Sequence, residues 1–106
     1  MALDISLVID NDVAKITLVG ELDGSNASDF KAKIEQAAAA EPKKVILFLE
    51  ELEFMASAGL RVLVFSKQKI GAGVDIYIIG AQEMILESIE KTGLNHSFII
   101  QEEYQD

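Results

Sequence analysis

Two short apolar runs constrain the fold of this chain more than any other feature. Val45-Ile46-Leu47-Phe48-Leu49 and Ile76-Tyr77-Ile78-Ile79 are almost wholly apolar, and each is too short for a helix. Such runs are typical of central strands in an α/β sheet. Before, between and after them the apolar period changes to that of a helix. In Ser25–Ala40, the residues Ala27, Phe30, Ile34, Ala37 and Ala38 form one stripe, with Lys31, Lys33 and Glu35 off it. Leu60–Ile70 reads as a second helix with Leu60, Leu63, Val64 and the stem of Lys67 as its buried face. Val62 and Phe65 then extend the apolar surface and are expected to bury against a neighbouring element. Gln82–Thr92 reads as a third helix, with Met84, Ile85, Ile89 and Thr92 inward.

Turn signals separate these segments. Leu3, Ile5, Leu7 and Ile9 alternate with mostly polar residues, as do Ala14, Ile16 and Leu18 within Val13–Val19. Asn11-Asp12 between them tolerates positive φ, so the two form a β-hairpin. Gly20-Glu21-Leu22-Asp23-Gly24 reads as a loop. Pro42 ends the first helix, Gly71 and Gly73 end the second, and Gly93 before Leu94 marks a left-handed stop after the third. Phe98-Ile99-Ile100 reads as a last short strand, and Gln101–Asp106 as a frayed acidic tail. The order is β-β-α-β-α-β-α-β with right-handed crossovers expected. The fold class is α/β: one domain over residues 1–106, with a mixed four- to five-stranded sheet built from an N-terminal hairpin plus parallel strands and packed with three to four helices.

Charge narrows the function. The chain carries 9 basic and 18 acidic residues, a net charge of −9. Such a surface repels phosphate backbones and anionic bilayers, so neither nucleic acid nor membrane insertion is expected. A basic protein partner fits better. There is no cysteine, which removes disulfides and thiolate metal sites. Met1–Asp10 lacks the basic start of a secretory signal, and no apolar run reaches the roughly 20 residues that span a bilayer. A cytoplasmic protein is the expectation. A monomer is the default, although exposed apolar positions would also support a dimer.

The chemistry-bearing stretch is Phe54-Met55-Ala56-Ser57-Ala58-Gly59-Leu60, where a strand gives way to a helix. Function in open α/β sheets gathers at such strand ends. Ser57 is placed either to cap the helix, its hydroxyl accepting from a first-turn N–H, or to be modified where a partner docks. Gly59 is explained equally by close approach of a partner or by tight packing against the sheet. Glu50, Glu51 and Glu53 are a solvated strand end or a docking patch. Glu21 and Asp23 carry the same ambiguity, and Asp23 also suits a cap or a turn. Catalysis has little support. Alanines flank Ser57 where an α/β-hydrolase elbow has glycines. His96, the single histidine, falls in an expected exposed turn. No metal-ligand spacing and no phosphate-cradling glycine loop is present.

Taken together, Gly20-Glu21-Leu22-Asp23, the strand Val45–Leu49 running into Phe54-Met55, Ser57-Ala58-Gly59-Leu60, and Thr92-Gly93-Leu94 with Phe98 resemble the STAS domain family. Within it the likeness is to bacterial anti-sigma factor antagonists, and it covers nearly the whole chain. The resemblance implies a small mixed sheet with helices, and a partner switch without catalysis or cofactor. The unphosphorylated antagonist binds an anti-sigma factor that is also a serine kinase, which frees the sigma factor. Phosphorylation of a serine at the start of the second helix releases it, and a serine phosphatase resets it. Ser57 matches that serine. The implied partner surface is Glu21, Asp23, Met55, Ala56, Ser57, Ala58, Gly59 and Leu60. The likeness departs beside the serine, where the family usually has an aspartate before and a serine or threonine after; here stand Ala56 and Ala58. A STAS interaction or ligand-sensing module that is not phosphorylated, associated with transport or lipid trafficking, is the alternative.

Overall fold

The computed structural model describes residues 2–71 and 73–105. The first hairpin pairs β1 (Leu3–Asp10) with β2 (Val13–Leu22) antiparallel. Its two-residue turn is Asn11-Asp12, both at positive φ (49° and 65°), which these residue types tolerate. Helix α1 (Ala27–Ala39) leads to β3 (Lys44–Met55), α2 (Ser57–Ile70) to β4 (Asp75–Ile79), and α3 (Glu83–Lys91) through a 3-10 turn (Leu94–Ser97) to β5 (Ile99–Gln101). Strand order is β1-β2-β3-β4-β5, and every pair after the hairpin is parallel. Gly71 (φ 102°) and Gly93 (φ 78°) close α2 and α3 where the sequence placed helix stops.

The core lies on one face of the sheet. Ala14, Ile16 and Leu18 of β2, Val45, Leu47 and Leu49 of β3, and Ile76 and Ile78 of β4 share it with Phe30 and Ile34 of α1, Leu63 of α2 and Ile89 of α3. Each fully buried side chain of this size contributes about 1.5–3 kcal/mol. On the core face the two central runs are fully buried; on the other face Ile46 and Ile79 are buried while Phe48 and Tyr77 are half-buried. On that second face Tyr104 lies edge-on to Phe48 (ring centroids 6.3 Å apart) and Tyr77 (5.6 Å). The ammonium groups of Lys15 and Lys44 stand 6.0 and 5.1 Å from its ring centre. The tail is therefore not frayed through Tyr104, because an aromatic residue placed over aromatic and aliphatic strand residues gains buried area. Asp106 of that tail lies outside the described residues.

Several sequence expectations change in the fold. Gly20–Leu22 continues β2 rather than forming a loop, and β3 runs on through Glu50–Met55 instead of stopping at Leu49. Two register shifts between β2 and β3 accommodate this, one between Thr17 and Val19 and one between Gly20 and Glu21. Gly20 adopts φ 110° with the Ala2 carbonyl against it, a place no side chain would fit. The buried stripe of α2 is Gly59, Val62, Leu63 and Ser66, rotated by one residue from the Leu60–Leu63–Val64 reading. Val64 is exposed and Leu60 only half-buried. Phe65 packs against the core edge, where Lys31 of α1 stands 4.8 Å from its ring centre. In α3, Ile85 and Ile89 point inward as expected, whereas Met84 and Thr92 face solvent.

Candidate functional site

Ser57 opens α2 at the end of the sheet where the parallel strands finish. It is not the helix cap. Ala56 holds that position with extended backbone (φ −78°, ψ 170°), and its carbonyl accepts from Gly59 N–H at 2.9 Å. The Ser57 side chain is exposed and makes no hydrogen bond among the described residues. A hydroxyl at the first helical position lies one residue too late to reach back over the first free N–H groups. The serine is thus left without a structural task.

The start of α2 is tied to the neighbouring strand end. Ala56 N–H donates to the Leu22 carbonyl at 2.8 Å. A Cβ at Gly59 would meet Leu22 at 2.7 Å and Met55 at 2.8 Å, so the buried glycine lets the helix rest directly on both strands. Tight packing explains this glycine. Met55 and Gly59 are buried and support the surface from beneath. Ala56, Ala58 and Leu60 are half-buried around the exposed Ser57.

Glu21 and Asp23 reach the same end through β2. Asp23 does not cap α1. Its Oδ1 accepts from Ser25 N–H at 2.8 Å and Ser25 Oγ–H at 2.5 Å, holding the turn. These bonds, the hydroxyl's foremost, keep the Asp23 carboxyl below its ordinary pKa. Asn26, which the sequence reading passed over, locks the loop. Its buried side chain accepts from Asp23 N–H at 2.9 Å and donates to the Glu21 carbonyl at 3.0 Å. The signal was available, since an asparagine directly before a helical stripe favours such local bonding. Glu50, Glu51 and Glu53 are exposed on the far half of β3, while Leu49, Leu52 and Met55 of the same stretch are buried.

Beside Ser57 runs a largely apolar groove of about 290 Å³ between α2 and the end of α3, lined by Ser57, Leu60, Arg61, Val64, Thr92 and Leu94. At the end of β3, Phe54 and, on α3, Met84 are 41% and 75% exposed around a small separate cleft. An apolar groove beside an exposed hydroxyl makes a surface suited to a protein partner. Among the described residues no cluster of three or more histidines and carboxylates could hold a metal. His96 is exposed in the 3-10 turn, as expected.

The model of the STAS domain matches residues 4–106. The chain belongs to the STAS domain family. Within that family it is 28% identical over 88 residues to the anti-sigma-F factor antagonist RsfB of Mycobacterium tuberculosis, spanning 83% of this chain and 72% of that protein. Its fold superimposes on the crystal structure of an anti-sigma factor antagonist from Mycobacterium paratuberculosis with a TM-score of 0.88 at 22% identity, over 96% of this chain and 87% of the other. The phosphorylated form of the Bacillus cell fate determinant SpoIIAA matches at TM-score 0.70 and 22% identity, over 93% and 90%. The mixed sheet with three helices on one face is the STAS architecture of these structures. No helix among the described residues is long and apolar enough to cross a membrane.

Proposed function

We propose that this STAS domain is an anti-sigma factor antagonist, a non-catalytic protein that works by exchanging partners. Unphosphorylated, it binds an anti-sigma factor that is also a serine kinase. That kinase transfers a phosphoryl group from ATP to Ser57 Oγ, and the complex separates. A serine phosphatase returns the hydroxyl. The observation that carries this reading is the exposed, unbonded Ser57 hydroxyl set among apolar partner-sized features at the start of α2. The name of the RsfB relative agrees with it.

The energetics suit a reversible switch. Phosphorylation adds about −1.5 to −2 charges. The helix N-terminus offsets part of that, by about 0.3–1 kcal/mol, so the fold tolerates the group. In a docked apolar interface the same charge must be desolvated, which costs far more. Glu21, Asp23, Ala56, Ala58 and Leu60 complete the partner surface around Ser57, with Met55 and Gly59 beneath it.

Intact mass after incubation with the cognate kinase and ATP, with the modified residue mapped by fragmentation, tests the reading. One phosphoryl group on Ser57 and loss of the complex are expected. An unmodified protein that stays bound to that kinase would instead assign a constitutive STAS interaction module, whereas a phosphorylated one would show that the kinase reads a loop with Ala56 and Ala58 beside the serine. A neighbouring gene for such a kinase or a serine phosphatase would agree with the switch, and a transporter operon with the module.

A further inference from the structure

We propose that Arg61 is the intramolecular partner of the phosphate on Ser57. This role rests on the switch reading above and adds to it the residue that receives the new charge. Arg61 stands four positions after Ser57 on α2, so the two share one helix face with Cβ atoms about 5–6 Å apart. An arginine side chain spans that distance. Both line the same groove, and Arg61 is the only charged residue among those that line it. It is exposed and makes no ion pair among the described residues, so its guanidinium is available. The first turn of α2 carries no acidic residue that would compete for it. The acidic groups nearest in sequence, Glu50, Glu51 and Glu53, lie on β3 and outside the groove.

The chemistry matches. A phosphate presents oxygens that a guanidinium engages with two parallel hydrogen bonds. At a helix start the backbone N–H groups and dipole add to the same attraction. Pairing would draw Arg61 across the groove mouth beside Leu60 and Val64. Phosphorylation would then change the docking surface twice: a charge appears on Ser57, and an arginine closes over the apolar groove.

Phosphoserine installed at position 57 during translation, in the otherwise intact chain, tests the pairing without any kinase. The phosphorus-31 resonance is titrated at low salt. With Arg61 present, the second phosphate pKa should fall below that of Arg61→Gln by about half a pH unit, roughly threefold in proton affinity. Arg61→Lys should recover part of the difference, and added salt should shrink it. Because the dipole acts equally in all three proteins, identical titrations in wild type and Arg61→Gln would overturn the pairing. Failure of the switch reading looks different: phosphorylated protein would remain bound to the anti-sigma kinase while the Arg61-dependent shift persists.

Discussion

The two halves of β3 behave as different kinds of structure. From Lys44 to Phe48 the strand is hydrogen-bonded to β2 on one side and β4 on the other, and Val45, Ile46 and Leu47 are fully buried. From Leu49 to Met55 β4 falls away and only β2 remains alongside, with two register shifts. Only Leu49, Leu52 and Met55 are buried there, and three glutamates and Phe54 face out. The first half anchors the core. The second half is an arm paired with one strand only, its buried side chains covered by the helices, and Ser57 follows its tip. In the proposed switch, separating the two would let a charge change at Ser57 alter binding without unfolding the domain.

The contrast is sharpest at Leu47. Leu47→Ala should lose about 2–5 kcal/mol in chemical denaturation, since a fully buried central leucine leaves a cavity. A loss below 1 kcal/mol would mean the first half is not the anchor. Next is the joint between the halves and α2. Gly59→Val should cost about 1–3 kcal/mol by driving side-chain atoms into Leu22 and Met55. An unchanged unfolding midpoint would show that α2 does not rest on those strands.

At the arm, effects on stability shrink and effects on binding grow. Asn26→Ala should cost about 1–2 kcal/mol, because two bonds to the Glu21–Asp23 loop are lost. Ser57→Ala should change stability by less than about 0.5 kcal/mol, as an exposed side chain without a cap bond contributes little. It should hold the partner persistently in a pull-down, whereas Ser57→Asp should bind weakly. Equal affinities for all three would break the assignment of Ser57.

The smallest effect is on acid. The Asp23 carboxyl titrates below its unfolded-state value, so its stabilisation is complete above the unfolded pKa and is lost as pH falls through the folded one. In carbon-detected NMR titration, Ser25→Ala should move the Asp23 midpoint upward, since the Ser25 hydroxyl is the foremost cause of the depression. No movement would show that the turn is held by other bonds.

What the sequence determined by itself was local. The hairpin turn at Asn11-Asp12, the glycine ends of α2 and α3, the apolar central strands and the order of elements all follow from residue type and spacing. Ser57 at a strand-to-helix junction was legible for the same reason. Only the tertiary structure decided which way α2 turns. Leu60, Val62, Leu63, Val64 and Phe65 are apolar on nearly all sides, so periodicity alone does not choose a face. Contact of Gly59 with Leu22 and Met55 chooses it, and puts Val62 inside and Val64 beside the groove. The same contact of distant strands carried β3 past Leu49, made Ala56 the cap in place of Ser57, and left the serine hydroxyl free. Pattern reports a residue's position on its own element; burial depends on what the rest of the chain brings against it.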